Sequence, residues 1–294
     1  MAQMDPNAGD AHKYYPSVHF NGQVHPFSHT PIKGFIFYQG ESNTKRGLEY
    51  GGMMKALIED WRSLWNMGDL PFYYVQLFNM GIATSTLYEE GNSQDTRDQQ
   101  LGLIYEDIEN IGMAVSIDTN EDPDNSDPAI RIHHRNKKPV GERLALLALQ
   151  HTYEKDTLGT SPLPVNSHIS NDTVYVTFKN AGTGLKPALD GDTLKGFVVA
   201  GEDRIFLEAS AEVVNDSTLA ISSASVSEPL AARYAWSKNP DCNLVNSAGL
   251  PASPFRTDDW PSGYAYADSG EKDDISLAGI KINGTPLSIF SNEN

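Results

Sequence analysis

Residues 39 to 43 read Gln-Gly-Glu-Ser-Asn, a polar turn with a glycine directly after the apolar run Phe35-Ile36-Phe37-Tyr38. A serine at a strand-to-helix turn, here Ser42, has its hydroxyl exposed above a sheet and can act as a nucleophile. The Gln39 amide and the Gly40 N–H can instead donate hydrogen bonds to an oxyanion. The same residue types also make a turn that only caps backbone groups. A second polar cluster, Ile132-His133-His134-Arg135-Asn136-Lys137, lies far along the chain. A histidine there can serve as the base for chemistry at the first turn. Neighbours on an extended segment point opposite ways. The histidine pair is therefore a poor chelate for one metal, and one ring can enter a cleft while the other meets solvent. A lone histidine is more commonly a surface group or a satisfied core group.

No HExxH or cysteine–histidine spacing supports zinc, and no metal or cofactor is expected. The loop Asp122 to Asp127 is faintly like a calcium loop but has no glycine at the sixth position and no distal glutamate, so it reads as solvated. Tyr234, Trp236, Arg256, Asp258, Asp259 and Trp260 crowd aromatics and charge together. They suit either a sugar-binding edge or a packing seam between domains.

These residues need elements to position them. Phe35 to Gln39 reads as a buried strand, followed by a helix from about Leu48 to Met67, with Met53, Met54, Leu57, Ile58, Trp61, Leu64 and Trp65 at helical spacing. Gly51 and Gly52 weaken its first turn. Phe72 to Leu77 is a second strand, Gln94 to Ile108 a second helix, and Met113 to Asp118 a third strand. Pro139 opens a further helix at a favourable first-turn position. Strands alternating with helices imply a parallel sheet covered on both faces. After about Thr160 the pattern changes to short strands: Val174 to Phe178, Leu194 to Ala200, Ile205 to Leu207, Thr218 to Ile221 and Ala231 to Trp236. These predict a small all-β sandwich. The expected division is residues 1–158 for the α/β part, 159–260 for the β part, and 261–294 for a polar tail with one strand at Ile280 to Ile282.

The 294 residues carry 22 basic and 39 acidic side chains, a net charge of −17. That balance argues against nucleic acid or an anionic membrane surface as partner. It also repels an anionic substrate unless local basic groups offset it. No apolar run approaches the roughly 18 residues of a membrane span. No leader-like apolar segment follows Met1. The single cysteine, Cys242, excludes an internal disulfide framework and leaves the compartment open.

Several motifs in order resemble the sialate O-acetylesterase family. They are Tyr38 to Asn43, Asp60-Trp61-Arg62, Leu70 to Leu77, Arg97 to Gln100, Gly112 to Val115, Ile132-His133 with Arg135-Asn136-Lys137, Arg233 to Trp236, and Gly249 to Trp260. The family is a carbohydrate-esterase branch of the SGNH hydrolases, with a three-layer α/β fold of flavodoxin-like type. It removes acetyl groups from O-acetylated sugars or sialic acid, and its members are often periplasmic or secreted. The resemblance implies that Gln39 and Gly40 lie by the oxyanion hole and that His133 is the general base.

Two departures set further expectations. The family's nucleophilic serine sits in a Gly-Gln-Ser-Asn-Met-type turn well upstream of the glutamine turn, and no such motif occurs in the residues before Lys33. The chain thus resembles a family member truncated at its N-terminus, with an incomplete parallel sheet and without the usual serine. Ser42 imitates a Gly-Asp-Ser turn but aligns with the glutamine turn, so it is a weak substitute. Weak or no esterase activity is expected. A non-catalytic carbohydrate-binding or structural role is the alternative, with Tyr234, Trp236 and Trp260 as sugar contacts. The family's Asp-Ile-His-Pro is Arg131-Ile132-His133-His134 here, so Asp118 or Asp127 must orient the base if any acid does. A sheet without its first strands exposes an edge, which predicts self-association through that edge or its coverage by Met1 to Phe27.

Overall fold

The computed structural model describes residues 17–81, 88, 93–120 and 133–261. Its first half is built on three parallel strands, β1 (Phe35–Phe37), β2 (Phe72–Val75) and β3 (Ile111–Ala114), in the order β1-β2-β3. The register sets Phe35 beside Phe72 and Phe72 beside Ile111. All four residues of β2 are buried, as a central parallel strand with both faces covered requires.

Helix α1 (Tyr50–Trp65) covers one face. Its Trp61 and Trp65 rings meet Phe35, with centroids 5.4 and 5.0 Å away. Met54 and Ile58 are buried in the same cluster. The helix stops at Asn66, whose left-handed backbone (φ 49°) returns its N–H to the Arg62 carbonyl, a common helix ending. Gly51 has a packing role that its low helix propensity hides. A Cβ there would sit 2.8 Å from Gln99 Oε1, so the glycine allows α1 to touch α2 (Ser93–Gly102). Helix α3 (Lys138–Leu147) covers the other face, seating Val140, Leu144 and Leu147 against Tyr73, Val75 and Ala114. Ile36, on that face but at the sheet edge, is 71% exposed.

The second half consists mainly of antiparallel strands. One sheet has the order β4-β5-β10-β9, from β4 (Leu163–Ser170), β5 (Thr173–Lys179), β9 (Ser210–Asn215) and β10 (Thr218–Ser222). The other runs β13-β11-β7-β8, from β7 (Phe197–Ala200), β8 (Leu207–Glu208), β11 (Ala231–Tyr234) and β13 (Phe255–Arg256). A short pair, β6 (Lys186–Pro187) and β12 (Leu244–Val245), completes it. Val174, Val176, Leu219 and Ile221 of one sheet share a buried cluster with Phe197, Val199, Tyr234 and Phe255 of the other. The α/β architecture followed by a sandwich-like β region is therefore the observed one.

The element boundaries differ from the sequence expectations for physical reasons. A 3-10 run, Glu41–Glu49, kinked at Arg46, precedes α1, so the first helix starts later. Helix α2 ends at Gly102 and continues as one 3-10 turn, Leu103–Tyr105, rather than reaching Ile108. Strand β3 begins at Ile111, because its length is set by pairing with the four residues of β2. Strands β4 and β9 were not anticipated, since edge positions tolerate the polar residues that blur alternation. The acidic loop Asp122 to Asp127 and the strand at Ile280 to Ile282 lie outside the described residues.

Candidate active site

Ligands of open parallel sheets bind beyond the carboxyl ends of the strands. Here the segments after β1, β2 and β3 and the segment before α3 gather at that edge. After β1, Gly40 adopts φ 149°. A Cβ at Gly40 would come 3.2 Å from the Leu77 side chain and 3.4 Å from Gln100 Nε2. Glycine thus brings the turn close to the end of β2. The Gln39 amide is held at two points. Its Nε2 donates to Asn43 Oδ1 at 2.7 Å. The Tyr50 hydroxyl donates to the Gln39 carbonyl at 2.6 Å and lies 3.1 Å from Oε1. An amide nitrogen carries two hydrogens, which leaves one for a ligand. Ser42 is exposed in the first turn of the 3-10 run.

The two histidines separate as neighbours on an extended segment should. His133 is exposed, whereas His134 is 2% exposed. The His134 ring centroid lies 4.2 Å from that of Phe78 and 6.4 Å from that of Tyr38, the residue before Gln39. Lys137 Nζ is 3.2 Å from Nδ1. An ammonium can only donate, so the nearer nitrogen, Nδ1, accepts; Nε2 lies 3.5 Å from the same ammonium and 3.3 Å from Thr119 Oγ1. Burial, and secondarily the Lys137 charge, push the His134 pKa down to about 4. Burial also raises the Tyr38 hydroxyl well above its usual range, with a smaller contribution from Glu41.

Asp118, an expected partner for the base, faces elsewhere. It receives both nitrogens of the Arg143 guanidinium, at 2.6 and 2.7 Å. The family's orienting acid therefore has no counterpart in Asp118, and Asp127 lies outside the described residues. No group of three or more His, Cys, Asp or Glu is placed to hold a metal ion among the described residues.

Comparison with known proteins agrees with the motifs. Residues 13–150 match the family described as carbohydrate esterase, sialic acid-specific acetylesterase. A mouse sialate O-acetylesterase is 29% identical over 258 residues, covering 81% of this chain and 47% of the mouse protein. Its human counterpart is 30% identical over 263 residues, covering 81% of this chain and 48% of that protein. A carbohydrate acetylesterase from Xanthomonas citri superposes with a TM-score of 0.76 at 33% identity, covering 86% of this chain and 56% of that one. The chain is a relative of the sialate O-acetylesterases. It spans about half the length of the curated relatives it matches.

In this sialate O-acetylesterase relative, two buried networks tie the edge to the β region. Arg97 on α2 donates to the carbonyls of Leu77, Phe78, Ser237 and Lys238, at 3.0, 2.6, 2.8 and 2.8 Å respectively. Asn79 bonds Asn239 at 2.8 Å and also receives the Asn120 backbone N–H at 3.0 Å. Within the crowded aromatic segment Tyr234 and Trp236 belong to a packing seam, whereas Trp260 is half-buried. Tyr234 and Trp236 are 1% and 2% exposed. Arg233 pairs with Asp258 at 2.7 Å and Arg256 with Asp98 at 3.1 Å, all inside the protein. Sequence reading placed Lys137 and Arg97 in motifs without giving them a role, and passed over Thr119. The only signal for Lys137 was a cation three residues after His134, just ahead of a helix.

Proposed function

We propose that this chain descends from carbohydrate O-acetylesterases, which cleave acetyl esters of sugars through serine acyl transfer, and that these residues on their own have weak or no activity. In this reading Gln39 and Gly40 stabilise the tetrahedral oxyanion, and His133 is the base that takes the serine proton. Ser42 is the minor candidate for the nucleophile. The observation that carries the reading is the juxtaposition of the glutamine turn and the histidine segment, with Tyr38 beside His134 at one sheet edge. The exposed ring of His133 is accessible to a partner hydroxyl brought to that edge. The substrate within the class is an O-acetylated sugar or sialic acid, by analogy with the names of the relatives.

The test is binding at the glutamine turn. An O-acetylated sugar should shift the Gln39 side-chain amide resonance in a saturable way, and its deacetylated form should do so far less. No shift at Gln39 with any acetylated sugar sinks the reading. Turnover of an aryl acetate by these 294 residues should stay near the uncatalysed rate, since they hold no Gly-Gln-Ser-Asn-Met-type turn and Gly40-Glu41-Ser42-Asn43 belongs to the glutamine turn.

A further inference from the structure

The side chain of Lys137 is held in an unusual way for a lysine. Its Nζ is 3.2 Å from the neutral imidazole of His134, 4.9 Å from the ring centroid of Tyr38 and 5.6 Å from that of Phe78. Two aromatic faces and a neutral ring nitrogen orient a cation without neutralising it. No carboxylate lies within ion-pair distance of it among the described residues. Glu41 acts on it only through its field, while burial lowers its proton affinity.

Its position strengthens the point. Lys137 is the N-cap residue of α3, where the helix already presents positive charge. A cation there is unfavourable on helix grounds, and Lys137 makes no capping hydrogen bond. The residue is nevertheless exposed to solvent at the sheet edge. A second polar group is unmet in the same cluster: among the described residues the buried Tyr38 hydroxyl has no hydrogen-bond partner. In a chain of net charge −17, this is a local positive site assembled where ligands of the fold bind.

We propose that Lys137 is an anion-binding residue of this edge, its ammonium receiving the carboxylate of a ligand while His134, Tyr38 and Phe78 hold it in place. Two sources share that chemistry: the carboxylate of a sugar acid, and the acetate that ester cleavage releases. The proposal goes beyond the esterase reading and is measured without turnover. His134 is then a positioning residue, whose neutral ring keeps the lysine proton donors aimed at the edge.

Calorimetric and NMR titrations of the 294-residue chain with sodium acetate, N-acetylneuraminate and the methyl ester of N-acetylneuraminate decide the matter. Saturable binding of the free acid, with the methyl ester at least about tenfold weaker, assigns the site to a sugar acid. Saturation by acetate, with both sugars inert, assigns it to the released product. In either case Lys137→Met should weaken the carboxylate by about tenfold or more, Lys137→Arg should retain much of it, and Glu41→Gln should tighten it. Affinity should also fall as salt is raised. The proposal is overturned if no carboxylate binds, if acid and methyl ester bind equally, or if Lys137→Met binds as the parent does. The ester comparison uses only the parent protein, so a poorly folding variant does not obscure the result.

Discussion

Asp98 on α2 and Arg256 on β13 meet at 3.1 Å with both side chains almost entirely shielded from water. Arg256 also lies 3.9 Å from Asp258, which in turn holds Arg233. The four charges balance, and burial drives the Asp98 pKa upward, against the pull of Arg256. Removing one partner leaves the other charge uncompensated. Asp98→Ala should therefore cost about 3–5 kcal/mol. Glu142→Ala, which breaks an exposed pair with Lys138, should cost under about 1 kcal/mol. Urea midpoints for the two variants test the contrast, and equal losses would contradict it.

His134 predicts a pH dependence. Its folded pKa is about 4, below the ordinary 6.5, so the unfolded chain binds the proton more readily between those values. Stability should be complete above about pH 6.5 and fall as the pH drops toward 4, by on the order of 2–3 kcal/mol. The charged groups bearing on the ring are Lys137, which disfavours its protonation, and Glu41, which acts on Lys137. His134→Gln should flatten this part of the profile, as read by denaturant melts across the range. An unchanged slope would place the acid sensitivity elsewhere.

The adjacent glycines at the start of α1 should respond in opposite directions. Gly51→Ala places a methyl 2.8 Å from Gln99 Oε1 and should destabilise by about 1–3 kcal/mol. Gly52 is exposed, so Gly52→Ala should stabilise by roughly 0.5–1 kcal/mol through helix propensity. Thermal melts followed by circular dichroism distinguish the pair. A stabilising Gly51→Ala would show that the Gln99 amide turns aside from the added methyl at little cost.

Ser42 offers a chemical prediction. Residual aryl acetate turnover should be the same in Ser42→Ala as in the parent, and a fluorophosphonate probe should leave Ser42 unlabelled. Labelling that disappears in Ser42→Ala would make it the nucleophile.

The edge of the parallel sheet yields the last prediction. Among the described residues strand β1 pairs with β2 alone, and Ile36 on it is 71% exposed. We propose that copies of this chain associate through that edge. Light scattering should show mass rising with concentration, and Ile36→Lys should suppress the rise. A concentration-independent monomer would exclude it.

The sequence made some of this legible and hid the rest for identifiable reasons. Helix α1 could be read because its apolar residues fall on one face, and β2 because a buried parallel strand is continuously apolar. A helix over α2 was expected, but the burial of its polar first turns could not be read by period. Its polar residues Arg97, Asp98, Gln99 and Gln100 are all buried, and many of their partners, such as the Ser237 carbonyl and Arg256, lie far away in the chain. The glutamine turn was recognisable from its residue types. Which of His133 and His134 turns inward was not, because alternation predicts that they differ without saying which one meets Phe78. The role of Lys137 depends on the rings around it, which only the folded chain brings together.

The four carbonyls around Arg97 come in equal number from the loop after β2 and from the turn after β11. A fragment cut near residue 158 would keep the entire parallel sheet and both histidines. It would nevertheless strip the Ser237 and Lys238 carbonyls from an interior guanidinium and leave Asn79 without Asn239. Trimming the protein to its α/β half should thus yield insoluble material, and mutations in the distant turn at Ser237 to Asn239 should be felt first at the carboxyl edge of the parallel sheet.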